Sequence, residues 1–169
     1  RHLARLIDFL DKTGVRDNTL IIVMSDNGAS QEGGPLGFIN AMGPYNFCPE
    51  PMPEKLQRID DIGGPDTHTN FPHGWAMASN TPLRRYKQNT HGGGIRDPFV
   101  LNWPKKIPAT GELRYQFVHA SDLTPTLLDL IGLAVPSAIN GVAQMPLEGE
   151  SFAGSIANAS APSRTKPQY

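Results

Sequence analysis

The chain has 169 residues, 38% of them hydrophobic and 18% charged, with a formal net charge of -1. Those proportions fit a globular domain, or part of one, rather than a disordered chain, and the near-neutral balance argues against a nucleic-acid partner held by phosphate neutralisation. The single cysteine, Cys48, excludes an internal disulfide, and no apolar run approaches the roughly 20 residues that cross a bilayer as a helix.

Leu3, Leu6, Ile7 and Leu10 fall at i, i+3, i+4 and i+7 and predict an amphipathic helix, with Gly14 placed to end it. The chain opens on Arg1-His2-Leu3, already inside that pattern, without an initiator methionine or a signal-peptide pattern. The expectation is an internal or C-terminal piece of a longer polypeptide. The compartment stays open, periplasmic or secreted as readily as cytoplasmic.

Thr19 to Ser25 form a short apolar run without alternation, which predicts a strand buried on both faces, as in a parallel sheet. Asp26, Asn27 and Gly28 follow it. Ligands of open α/β sheets gather at the carboxyl ends of strands, and a carboxylate beside an amide oxygen suits a hard cation such as Ca²⁺. Asp-Asn-Gly is equally an ordinary turn sequence.

Periodicity is lost from Gly28 to Asn80, a stretch with eight glycines and seven prolines. Its aromatic residues, Phe38, Tyr45, Phe47, Phe71 and Trp75, point to an ordered active-site loop or insertion, with a short helix over Pro53 to Asp61. Regular structure returns at Phe99-Val100-Leu101-Asn102, a second strand closed by Trp103-Pro104, and another short strand is expected over Tyr115 to Val118. Ser121 or Asp122 is placed to cap a helix with Pro125 in its first turn, Leu127, Leu128 and Ile131 inward and Gly132 at its end. Beyond Val135 the chain is polar and small, and Ala159 to Tyr169 reads as frayed.

A second constellation lies upstream of the Trp-Pro strand. Lys87 precedes three glycines, Gly92 to Gly94, and then Ile95-Arg96-Asp97-Pro98. Successive glycines permit close backbone approach, and an upstream lysine can direct a compact charge at a tetrahedral oxyanion. Taken singly, these features also fit a surface loop with a solvated lysine.

Val23 to Ala29 resembles the strand and metal turn of the sulfatases, and Lys87 to Pro104 resembles their lysine, Gly-Gly-Ile-Arg-x-Pro and Trp-Pro block. Asp122 to Leu128 resembles the helix that follows, and Gln144 to Phe152 the approach to their small C-terminal subdomain. The resemblance implies a partial alkaline-phosphatase-like α/β sandwich: a mostly parallel sheet flanked by helices, a long Gly/Pro-rich loop and the start of a small C-terminal subdomain. Residues 1–147 would be the C-terminal portion of the catalytic domain, with 28–80 its active-site loop. Residues 148–169 would be a partly disordered linker into the subdomain.

The resemblance further implies hydrolysis of a small-molecule sulfate ester with one Ca²⁺, for which Asp26 and Asn27 match two ligands, and a sulfate-contacting role for Lys87. The family's formylglycine nucleophile and its other metal carboxylates have no match here. Cys48-Pro49-Glu50-Pro51-Met52 departs from the formylglycine motif, so Cys48 reads as an ordinary thiol. An upstream part of the same polypeptide is therefore expected to complete the site, and this stretch alone is expected to be inactive. His91 and Gly92 stand where the family has an aromatic residue and Glu. His91 reads either as a pocket residue or as a solvent-facing loop histidine, and His73 either lines the substrate pocket or packs on nearby aromatics. The rival readings are a phosphate or phosphonate ester hydrolase of the same superfamily, and an inactive domain that binds a sulfated ligand.

Overall fold

The computed structural model describes residues 1–107, 111–164 and 166–167. In chain order its helices and strands are α1 (His2–Lys12), β1 (Ile21–Met24), α2 (Met42–Tyr45), α3 (Met52–Gln57), α4 (His73–Ser79), α5 (Gly92–Ile95), β2 (Phe99–Asn102), α6 (Leu123–Ile131), β3 (Ala138–Ile139), β4 (Val142–Ala143) and α7 (Ala153–Ala157). The fold is mixed α/β. The chain forms two compact units, one from Arg1–Leu20 with Asn102–Tyr169 and one from Ile21–Leu101.

In the first unit α1 follows the 3.6-residue periodicity. Thr13 closes it, and Gly14 turns away at φ 70°. Leu3 and Leu6 on its apolar stripe remain about half exposed. α6 ends as its sequence predicts: Gly132 adopts φ 75°, its N–H donates to the Asp129 carbonyl, and that of Leu133 to Leu128. Those two bonds are the Schellman pattern, which needs a residue tolerant of the left-handed region. Ile131, expected inward, is 50% exposed.

Asp122 stands at the N-cap of α6, one of the two residues expected there, though its side chain makes no cap bond to that helix. A 3₁₀ turn, Ala120–Asp122, precedes the helix, and that turn is capped by His119, whose Nδ1 accepts from the Ser121 N–H while the Asp122 carboxylate accepts from His119 N–H. Asp122 is almost wholly buried because it also accepts from the Glu150 N–H (2.9 Å) and from Arg164 Nη1 (3.0 Å).

The strand expected over Tyr115 to Val118 does not form. Its polar groups bond elsewhere: Gln116 Nε2 donates to the carbonyls of Ala159 and Ala161, and Phe117 N–H to Ser163 Oγ. The same bonds tie down the tail expected to fray, while Thr165, Gln168 and Tyr169 within it lie outside the described residues. β3 and β4 form an antiparallel hairpin, Ala138 opposite Ala143 and Ile139 opposite Val142. Asn140 and Gly141 turn it with φ 51° and 81°, the two positive values of a type I′ turn.

In the second unit β1 pairs with β2, and Ser25 N–H donates to the Pro98 carbonyl (3.3 Å), so the end of β1 meets the residues that lead into β2. β1 is not buried on both faces as expected. Val23 and Met24 are exposed, because among the described residues β2 is the only strand beside it. The long segment after Gly28 is folded. Asn40 and His68 form a bridge, and Ile39, Ala41 and Ala76 are its buried apolar residues. The Glu50 carboxylate accepts from the N–H groups of Ile39 and Asn40. The helix expected over Pro53 to Asp61 is α3 followed by a 3₁₀ turn, Ile59–Asp61. No helix among the described residues is long and apolar enough to cross a membrane.

Candidate functional site

Asp26, Asn27, His73, Lys87 and His91 all belong to the second unit. The Asp26–Asn27 turn leaves the end of β1 and is shaped by its own polar groups. Ser25 Oγ donates to the Asn27 carbonyl (2.7 Å), and Asn27 Nδ2 lies 3.2 Å from the Gly28 carbonyl and 3.4 Å from Asp26 Oδ1. With its Nδ2 turned to these acceptors, the Asn27 side chain has its oxygen left for another ligand.

Lys87 is seated beside this turn. Its N–H donates to the Ala29 carbonyl (3.1 Å), two residues past Asn27. Its ammonium donates to Glu32 Oε1 (3.0 Å), and Glu32 Oε2 accepts from Ser30 Oγ (2.7 Å). The Ser30 hydroxyl, then the Lys87 hydrogen bond and its charge, hold the Glu32 carboxyl below its ordinary range. Both ends of the pair are about one-third exposed, 31% for Lys87 and 35% for Glu32, so the lysine is oriented and still reachable. Arg85 and Gln88, close to Lys87 on either side, have φ of 68° and 71°. Non-glycine residues held in that region mark a backbone over-determined by its surroundings, often at functional sites.

The glycines explain how the segments come so close. A Cβ on Gly28 would stand 1.8 Å from the Gly93 carbonyl oxygen, one on Gly93 2.0 Å from that of Arg85, and one on Gly94 2.1 Å from that of Asn89. Gly93 N–H donates to Arg84 (2.8 Å). No side chain larger than hydrogen fits between these backbones.

Asp97, at the approach to β2, has its Oδ1 buried without a hydrogen-bond partner. Burial, and then the charge of Asp26, push its carboxyl up. At the turn itself Asp26 and Asn27 offer a carboxylate and an amide oxygen. That donor set fits a hard divalent cation. Among the described residues no group of three or more His, Cys, Asp or Glu is gathered for a metal.

The two histidines separate. His73, at the start of α4, stacks on Tyr86 with ring centroids 5.6 Å apart, so it packs beside the residue preceding Lys87. Its N–H donates to the Gly34 carbonyl (2.9 Å). His91 is exposed at the start of α5. Cys48 is an exposed free thiol. Sequence reasoning missed Glu32, Asn80 and Asp97. Glu32 finds its lysine 55 residues away and Asn80 reaches Ala29 across 51, and no local pattern announces either pairing.

The sulfatase family model matches residues 1–133. The chain is 31% identical over 153 residues to an uncharacterized sulfatase of Schizosaccharomyces pombe, covering 90% of this chain and 24% of that protein. It is 26% identical over 151 residues to an arylsulfatase of Klebsiella aerogenes, covering 89% and 31%. It is 28% identical over 146 residues to the human N-acetylgalactosamine-6-sulfatase, covering 85% and 20%. The chain therefore spans between a fifth and a third of the length of these relatives.

Proposed function

The chain belongs to the sulfatase family, and from that premise we propose that it forms part of a calcium-dependent sulfuric ester hydrolase in which Asp26 and Asn27 help hold the cation and Lys87 faces the sulfate. The observation that carries this reading is the Lys87 N–H bond to the Ala29 carbonyl, which seats the lysine against the turn following the two oxygen donors. Asp26 supplies a full negative charge and Asn27 a neutral oxygen. When bound, calcium supplies polarisation of the sulfate and favours an ionised nucleophile. Lys87 sets a positive charge where negative charge develops on the leaving oxygen, and Glu32 keeps that ammonium in one place through its charge-assisted bond. The nucleophile, a formylglycine in the family's terms, and the remaining metal carboxylates belong to an upstream part of the polypeptide under this reading. The 169 residues alone bind calcium weakly and turn nothing over.

The rival is a phosphate or phosphonate ester hydrolase of the same superfamily. The test is hydrolysis of 4-nitrophenyl sulfate and 4-nitrophenyl phosphate by a polypeptide carrying the whole sulfatase domain, with and without a calcium chelator. Lys87→Ala should lower sulfate ester turnover by about 100-fold or more, the scale seen on removing one preorganised oxyanion donor, and lower the melting temperature no further than loss of its partly exposed ion pair with Glu32 does. Near-normal turnover in that variant would take the role away from Lys87, and preference for the phosphate ester would favour the rival hydrolase.

A further inference from the structure

We infer that Asn80 is a positioning residue that sets the spacing between the Asp26–Asn27 turn and Lys87. The inference rests on the reading of Lys87 as the sulfate-facing cation and adds a residue that reading does not contain. Asn80 closes α4, and its one amide serves three separate stretches of chain. Its Oδ1 accepts from the Ala29 N–H (3.2 Å), and its Nδ2 donates to the carbonyls of Arg85 (3.0 Å) and Gly93 (2.9 Å).

Each partner is a structural pivot of the site. Ala29 is the residue whose carbonyl receives the Lys87 N–H. Arg85 has the left-handed backbone two residues before Lys87. The Gly93 carbonyl is the oxygen against which Gly28 packs. One planar amide therefore joins the metal turn, the lysine loop and the triple glycine, and fixes how far apart they stand. The donor and acceptor count is specific. Two donors and one acceptor are used, which asparagine supplies, whereas aspartate has no donor when ionised and alanine has neither. Glutamine has the same groups one methylene further out. Asn80 acts through Lys87 and touches no reacting atom, so its loss should appear mainly in kcat, where Lys87 works on developing charge.

The experiment compares Asn80→Ala, Asn80→Asp, Lys87→Ala and the Asn80→Ala/Lys87→Ala double variant in the polypeptide that carries the whole sulfatase domain, with calcium and 4-nitrophenyl sulfate. Asn80→Ala should lower kcat by about 10- to 100-fold, the scale of a misplacement near 1 Å, and change KM by less than about threefold. In the Lys87→Ala background the same substitution should cost less than about threefold more, because residues acting as a unit are not additive. Asn80→Asp keeps the shape and the Ala29 bond, so it carries the test if the alanine variant fails to fold, and it should show the same kcat loss. Full multiplicative loss in the double variant, or normal kcat in folded Asn80→Asp, overturns the inference and leaves the role of Lys87 standing. Unchanged turnover in Lys87→Ala overturns both.

Discussion

The closest backbone approach at the candidate site offers the sharpest physical test. Gly28 lies outside the left-handed region, so alanine there meets no conformational penalty and the substitution isolates packing. Its new Cβ would lie 1.8 Å from the Gly93 carbonyl oxygen and 2.9 Å from the Gly93 carbonyl carbon, whereas ordinary contact begins near 3.4 Å. Both obstacles are backbone atoms, so no side chain can swing aside, and the metal turn and the triple glycine must separate by about 1.5 Å. Overpacking of this kind costs about 1–3 kcal/mol, which for a domain of this size lowers the melting temperature by about 2–12 °C. Gly74→Ala is the matched control. It sits within α4 with nothing within 4 Å of its would-be Cβ, so it should gain about 0.5–1 kcal/mol from helix propensity. Thermal unfolding followed by circular dichroism reads both. Turnover by the polypeptide carrying the whole domain should fall by about 100-fold for Gly28→Ala alone. A Gly28→Ala melting curve superimposable on the parent's, or an equal fall for Gly74→Ala, would refute the steric argument.

Three further outcomes are expected. Asp26→Ala should weaken calcium binding by about tenfold or more in a calorimetric titration, and unchanged metal content would remove Asp26 from the ligand set. Because the Glu32 carboxyl is held below its ordinary range by Ser30 and Lys87, its stabilising contribution is complete above the ordinary carboxylate range and is lost as pH falls through its lowered value. The melting-temperature gap between the parent and Glu32→Gln should accordingly close on acidification, and a gap that widened would reverse the assigned sign. In the other unit, Asp122→Ala leaves the buried Arg164 guanidinium with only the longer 4.0 Å approach of the Glu150 carboxylate and frees the N–H groups of His119 and Glu150. Breaking such a buried pair costs about 3–5 kcal/mol, to be read as a lower midpoint in urea.

The fold was legible where it is written in short stretches of chain. The 3.6-residue spacing of α1, the Gly132 stop of α6 and the apolar runs of β1 and β2 all depend on residues a few positions apart. Asn140-Gly141 carried an equally local signal for a hairpin, obscured by the small and polar composition around it. Tyr115 to Val118 misled for the opposite reason. Its β-like residues find no partner strand among the described residues, and its hydrogen bonds go to the tail of the chain through Gln116 and Ser163. A strand exists only as a pairing, and the pairing is long-range.

The same distinction runs through the candidate site. Asp26, Asn27, Lys87 and the glycines were visible because their residue types are unusual for their positions: polar donors after an apolar strand, a cation before three residues lacking a Cβ. Glu32 and Asn80 are ordinary loop residues by sequence, and only the folded chain shows one holding the ammonium of Lys87 and the other tying together Ala29, Arg85 and Gly93 around it. Residues that meet a ligand must carry distinctive chemistry. Residues that hold them in place need only a hydrogen-bonding group at the right point in space, and many side chains in a glycine- and proline-rich segment have one. The lysine is thus fixed twice, by charge at its tip and by an amide network at its base. Only the first contact weakens when Glu32 is protonated. If Lys87 works on developing charge, acidification into that range should loosen the ammonium while its backbone stays bonded to Ala29, so the amide of Lys87 should keep its protection from hydrogen exchange at a pH where the ion pair has gone. Loss of both together would mean that the two contacts form a single cooperative unit, contrary to their separate origins.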